Sequence, residues 1–269
     1  MSKTIIVGAL GLIVSAAALG AGYVAGKPQP HQVTGVPVEA APAAGAGRAE
    51  VEAIVRNYLL EHPELMIEVQ AALEAKQQSQ QQVAQQEAIS SDADRIFNAS
   101  YDGVIGNPDG KVTIVEFYDY NCGYCKRAMA DMDAMVAADP DLRFVLKEFP
   151  ILGPDSQKAH VVSMAFRAVK PEGYSEFHRR LMSSEGRASE ETAVNLALEL
   201  GADEAALRQE MQNPDILKAF SETYELADKL SITGTPSYVM GDEVVFGALG
   251  QKVLSEKVAN LRACNSTNC

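Results

Sequence analysis

The stretch "KVTIVEFYDYNCGYCKRAMADMDAMVAADPDLRFVLKEFP", residues 111–150, decides the fold. Its first ten residues are largely β-branched or aromatic and apolar on both faces, the composition of a central strand covered by helices. Beyond Cys122 and Cys125, Met129, Met132 and Met135 recur at helical spacing until Asp139-Pro140 stops the run. "LRFVLKEFP", residues 142–150, then reads as a second strand. Strand, helix and strand in so short a span form a βαβ unit, hence a parallel pair with a right-handed crossover and an α/β class.

The two cysteines fall where the first strand gives way to the helix. The first N–H groups of a helix have no partner within it, and with the positive end of the helix dipole they point at the residue in that place, Cys122. Such a sulfur has a lowered pKa and is both a nucleophile and a leaving group; Lys126 and Arg127 in the first turn add positive charge. Cys125, one turn later and separated by Gly123-Tyr124, is expected to be more buried and less ionised, which suits it to resolve a mixed disulfide. The helical turn brings the two sulfurs close enough to close a disulfide with little backbone movement. A zinc site would need four ligands, and the other cysteines, Cys264 and Cys269, are spaced C-x4-C at the C-terminus, while the four histidines form no ligand pair. No metal and no cofactor is therefore expected. A purely structural cross-link fits poorly at a position that activates the sulfur.

Downstream, residues 155–229 are helical in pattern, punctuated by Gly173, Gly201 and Pro214, and read as an all-helical insertion of four or five helices. Strand character returns at "SYVMGDEVVFG", residues 237–247, with a hairpin turn at Gly241-Asp242, and a closing helix runs from about Gly250 to Ala263. "ITGTPSYV", residues 232–239, places Pro236 at the start of a strand, where an X-Pro bond is a cis candidate.

Upstream, Lys3 precedes an uncharged apolar stretch from Thr4 to Gly26. This is long enough for an uncleaved membrane anchor, and its small residues also allow a cleaved export signal; both readings place the chain in the cell envelope. In an oxidising compartment Cys264 and Cys269 are expected to staple the tail to itself. Residues 27–48 are a Pro/Ala/Gly spacer. Within residues 49–75, Val51, Ile54, Val55, Tyr58 and Leu59, then Met66, Val69 and Leu73, recur at helical spacing on either side of His62-Pro63. Two helices with stripes this short are expected to bury them by self-association, the alternative being packing on the main domain. A Gln-rich connector, residues 76–91, leads to a main domain spanning residues 92–269. The net charge of −13 argues against a nucleic-acid partner.

"VEFYDYNCGYCKR" followed much later by "GTPSYV" resembles the thioredoxin superfamily, in particular its DsbA-like branch, over roughly Ser100 to Ala263. The resemblance implies a thioredoxin fold with an inserted all-helical domain, preceded here by an N-terminal helical oligomerisation segment. It further implies that Thr235-Pro236 is cis and docks the substrate chain, and that Glu116 is a buried acid beneath the cysteines, with Lys147 as its expected partner. C-G-Y-C with Thr before the proline is similar to DsbC-type isomerases, and the N-terminal module resembles the trimeric ScsC and Com1-like proteins. The function this implies is thiol–disulfide oxidoreductase, as isomerase or reductase of misbridged proteins. A dithiol oxidase and a copper-binding or chaperone-like envelope protein are the alternatives. The implied partners are client proteins with cysteines and a membrane-bound redox partner of DsbB-like or DsbD-like type, with a homo-oligomer, trimer or dimer. Neutral Tyr124 lacks the cation that a histidine would supply there, which implies a less oxidising pair than in DsbA.

Overall fold

The structure, a computed structural model, describes residues 47–269, so the export or anchor segment and most of the Pro/Ala/Gly spacer lie outside the described residues. Two units are distinguished, one ending at Pro63 and the other running from Glu64 to Cys269. In the first, helix α1 (Arg48–Glu61) carries Val51, Ile54, Val55 and Tyr58, all 48–59% exposed.

The second unit opens with α2 (Glu64–Ser91), in which Met66, Val69 and Leu73 are also exposed. This helix continues without a break through the Gln-rich segment, as befits a residue of good helix propensity. Its last turns do more than connect. The Gln85 side chain donates to the Leu230 carbonyl at 3.0 Å, and Ile89 is buried in one core with Phe117, Val145 and Leu226. The folded body thus starts earlier than the boundary expected at residue 92, because one isoleucine among glutamines suffices to anchor the helix end.

After the short α3 (Ala93–Phe97) come β1 (Gly103–Gly106), β2 (Val112–Tyr118), α4 (Gly123–Ala138) and β3 (Leu142–Glu148). The insertion follows as α5 (Pro154–Val169), α6 (Tyr174–Ser183), α7 (Glu190–Glu199), α8 (Glu204–Glu210) and α9 (Pro214–Lys229). The chain returns through β4 (Ser237–Met240) and β5 (Glu243–Phe246) and closes with α10 (Gln251–Cys264).

The five strands form one sheet in the order β1-β3-β2-β4-β5. The central pair β2 and β3 is parallel and the other pairings are antiparallel, so the βαβ unit read from residues 111–150 is the heart of the fold. The β4–β5 turn holds Gly241 at φ +54°, and a Cβ there would come within 2.3 Å of Leu261. Alternation along the strands divides the interior. Ile114, Tyr118, Phe144, Leu146, Tyr238 and Met240 pack with Met129 and Met132 of α4, with Leu254 and Val258 of α10 and with the insertion. On the other face Val115, Phe117, Val145 and Val239 pack with Leu226 and Leu230 and the ends of α2 and α3.

Candidate active site

The catalytic turn starts where β2 ends. Asp119, fully buried, accepts hydrogen bonds from the Asn121 N–H and the Ser156 hydroxyl (2.8 Å each) and from the Leu152 N–H (2.9 Å). The Asn121 amide donates to Ser156 Oγ (3.0 Å) and the Ala188 carbonyl (2.9 Å) and accepts from the Ala188 N–H (2.7 Å). These two side chains fasten the turn to the insertion. The Cys122 N–H donates to the Asp119 carbonyl at 2.9 Å, which leaves Cys122 as the N-cap of α4. Sequence reasoning passed over both residues, although Asp and Asn before a helix are turn formers that bond to nearby backbone, a signal that could have found them.

The Cys122 thiol is 7% exposed and lies 3.2 Å from the Thr235 carbonyl oxygen. The Cys125 thiol donates to the Cys122 sulfur and is the main reason that its pKa is held down to about 5. Burial opposes this, while Thr235 and the N–H groups of Cys125 and Tyr124 add to it, the last two being the unpaired helix donors. Cys125 is 1% exposed and its thiol is pushed well up, by burial first, then by its bond to Cys122 and by the charge of Glu116. The pair is therefore one ionisable, reachable sulfur and one protonated, buried sulfur. The Thr235-Pro236 bond is cis, and the Pro236 carbonyl is held by the Gly247 N–H at 2.9 Å. Gly123 begins the helix, and Tyr124 stands 61% exposed beside the sulfur with the Arg127 guanidinium 4.2 Å from its ring.

Two sequence expectations fail here. Lys126 does not serve the thiolate: its ammonium donates to the carbonyls of Ser184 (2.8 Å) and Gly186 (3.3 Å), and burial lowers its pKa. The cause is direction, since the side chain leans from the helix toward the insertion. Lys147 is not the partner of Glu116. In the β2–β3 register Glu116 faces Leu146, so Lys147, one residue on, emerges from the opposite face of the sheet. There its ammonium pairs with Asp102 at 2.6 Å, donates to the Arg95 carbonyl and lies over the Tyr101 ring. Both members of this pair are buried, which pushes Asp102 up to about 7 and Lys147 down.

Glu116 itself is 5% exposed, and burial raises its pKa to about 8. Its cross-strand neighbour is Tyr238 on β4, whose hydroxyl works against burial by favouring the carboxylate. On the same face of the sheet, around Tyr118 and Glu148, lies a buried polar network that the sequence did not disclose. Tyr120 Oη bonds to Ser163 Oγ (2.8 Å) and His178 Nδ1 (3.2 Å), Ser163 donates to Glu148 (2.8 Å), and His160 contacts Glu148. Because His160 Nε2 accepts from the Tyr120 N–H at 3.2 Å, the ring proton sits on Nδ1 and is donated to Glu148. Cys264 and Cys269 are joined in a disulfide, and the loop between them docks through Ser266 and Thr267 on Asp242 of the β4–β5 turn. Among the described residues no group of three or more His, Cys, Asp or Glu side chains is placed to hold a metal.

A model of the DSBA-like thioredoxin domain matches residues 113–259, the span from β2 into α10. The chain belongs to the DSBA-like thioredoxin family. A second model, the N-terminal domain of the copper resistance protein ScsC, matches residues 48–80. Among solved structures, a thioredoxin-like oxidoreductase from Silicibacter pomeroyi is 40% identical with a TM-score of 0.61, covering 64% of this chain and 98% of that one. The catalytic domain of Proteus mirabilis ScsC is 28% identical with a TM-score of 0.61, over 66% and 98%. Among curated relatives, disulfide bond formation protein D of Bacillus subtilis is 26% identical over 53% of this chain and 68% of its own. A Na(+)/H(+) antiporter NhaA 1 of Salinispora arenicola is 24% identical over 59% of this chain, which spans only 24% of the antiporter's length. This DsbA-like chain is a thiol–disulfide oxidoreductase of the DsbA/ScsC type, and its cysteine pair lies against the segment that holds the cis-proline.

Proposed function

We propose that the protein is a cell-envelope disulfide isomerase or reductase that acts as an oligomer on misbridged client proteins. The exchange chemistry alone does not separate an isomerase from an oxidase, since both need an ionised Cys122 and a protonated Cys125. The observation that carries the reading is the pair of unburied apolar stripes ahead of the catalytic body, on α1 and on the first half of α2. Such surfaces call for a covering partner, and a second or third copy of the chain supplies a matching one. A trimer is favoured by the similarity of residues 48–80 to ScsC, with a dimer as the alternative. Several sites held around one stalk keep a client near fresh thiolates after the first exchange.

In the reaction the Cys122 thiolate attacks a client disulfide, forming a Cys122–client mixed disulfide and releasing one client thiolate. When a client thiolate is the next nucleophile, a rearranged client leaves and the dithiol is regenerated. If Cys125 attacks instead, it loses its proton, the reduced client leaves, and the Cys122–Cys125 disulfide must be reset by a DsbD-like membrane dithiol; a DsbB-like partner would serve the reverse, oxidative direction. Thr235 and Pro236 dock the client backbone beside the sulfur. The Thr4–Gly26 segment supports export, whether it is cleaved or stays as a tether.

The test is reactivation of scrambled ribonuclease. The chain from residue 28 onward is compared with its Ile54→Glu/Tyr58→Glu variant and with a fragment starting at Gln80, which retains Gln85 and Ile89. Reactivation by the first alone, with all three still oxidising a reduced peptide, supports the proposal. Equal reactivation by all three removes the oligomer from the mechanism, and oxidation without reactivation in all three identifies a dithiol oxidase.

A further inference from the structure

We propose that Tyr238 is a positioning residue for the resolving step, its hydroxyl holding the Glu116 carboxyl in place beneath the cysteines as proton acceptor for Cys125. This rests on the thiol-exchange reading above. Glu116 and Tyr238 are directly opposed in the antiparallel β2–β4 register, so their side chains leave the same face of the sheet, the face on which Cys125 packs. Both are buried, at 5% and 2% exposure, which sets the Tyr238 hydroxyl and the carboxyl in one apolar enclosure where the hydroxyl favours the ionised acid. Tyr238 also lies two residues after Pro236, so one short strand carries both the client-docking bond and the clamp on the acid.

The surroundings of Glu116 leave it little other help. On its β3 side the paired residue is Leu146, α10 contributes the apolar Leu254 and Val258, and Lys147 and Arg95 belong to the far face. From α4 the ionisable groups are Cys122, whose thiolate disfavours the carboxylate, Cys125, and Asp131, whose charge is felt by Tyr238. Burial and Cys122 both push the acid toward its neutral form, and the Tyr238 hydroxyl is what favours the carboxylate. The hydroxyl takes the part that the sequence suggested for Lys147, with a neutral donor in place of a cation.

In the step concerned, the Cys125 S–H proton passes to the Glu116 carboxylate as the Cys125 sulfur attacks the Cys122 sulfur of the mixed disulfide. The Cys122–Cys125 bond forms, the Cys122–client bond breaks, and the client leaves as a thiolate. A carboxyl without its donor is ionised at higher pH, so the release rate should begin to rise at higher pH too.

The test uses the reduced full chain and an aromatic disulfide, dithiobis(nitrobenzoate), whose two thiolates are released one at a time: the first by Cys122, the second by Cys125. Stopped-flow absorbance resolves the two phases across pH. In the native protein the second phase should rise with a midpoint somewhat below the Glu116 value of about 8, because the Cys122 thiolate that helps to raise it is consumed in the first phase. In Tyr238→Phe that midpoint should move up by about one pH unit, slowing the second phase roughly three- to tenfold at pH 7, with the first phase unchanged. Glu116→Gln should remove the rise, and adding Tyr238→Phe to it should have no further effect. A Tyr238→Phe profile that superimposes on the native one refutes the assignment, as does an equal slowing by Tyr238→Phe in the Glu116→Gln background. Absence of the first phase in the native protein would instead overturn the thiol-exchange reading and this inference with it.

Discussion

The depressed Cys122 thiol makes the stability gap between the reduced and oxidised protein depend on pH. In the reduced, folded chain the pKa is about 5, whereas an unfolded thiol titrates at about 8.5. A group whose folded pKa is depressed contributes stability above its unfolded pKa and loses it as pH falls through the folded value. The reduced protein should therefore gain stability from pH 5 upward, at about 1.4 kcal/mol per unit, or nearly 3 kcal/mol by pH 7. Water reaching the rim of the sulfur reduces this to about 1–2 kcal/mol. The oxidised protein has no thiol at position 122 and gains nothing from this source. Other shifted groups, such as Asp102, act in both redox states, so they largely cancel in the difference. Urea melts of both forms, followed by circular dichroism at pH 5 and pH 7, measure it directly. A difference between the two forms that is the same at both pH values would refute the assigned thiolate stabilisation.

Three further outcomes follow from the packing. Asn121→Ala strips the fully buried Ala188 of its hydrogen-bond partner and should cost about 1–3 kcal/mol in a urea melt, with slower Cys122 alkylation at pH 7 as the catalytic turn loosens. Lys147→Met leaves Asp102 buried without its cation and should cost about 3–5 kcal/mol at pH 8. Because burial raises Asp102 to about 7, stability is lost as pH rises toward that value, so the penalty should shrink at pH 5; Cys122 alkylation of the folded variant should match the native rate. Ile89→Ala should cost about 2–4 kcal/mol in thermal unfolding, whereas removing the residues before Gln80 should leave the unfolding midpoint of the catalytic body unchanged.

The parts of this protein legible in its sequence are those whose cause is local. A reactive Cys122 needs only a strand, a turn and a helix start, all within "VEFYDYNCGYCKR", and the βαβ unit needs only the hydrophobic runs around it. The insertion likewise announces itself by helical periodicity between two stretches of strand. Side-chain partners across the fold are different. Glu116 and Lys147 both interrupt apolar strands that pair with each other, which made them natural partners, but the register of a parallel pair is set by the whole hydrophobic face of each strand. One position decides whether a lysine meets the acid or the opposite core, and sequence spacing across a long crossover does not encode that position.

The same distinction explains how one residue pair can be simple in chemistry and elaborate in support. Cys122 obtains most of its nucleophilicity from donors within three positions of it, with Thr235 adding to them, but its placement depends on Asp119 and Asn121 reaching Leu152, Ser156 and Ala188, segments that belong to the approach to and interior of the insertion. Cys125 depends still more on distant chain, because a buried thiol with a raised pKa needs an acceptor, and the acceptor Glu116 is conditioned by Tyr238 from a strand that follows the whole insertion. In the proposed reaction, attack by Cys122 is thus governed mainly by the motif, while resolution by Cys125 is governed by the fold. On that basis, variation within Gly123-Tyr124 should act chiefly on the first exchange, and variation around Glu116 and Tyr238 on the second, where the choice between releasing a reduced client and leaving time for its rearrangement is made.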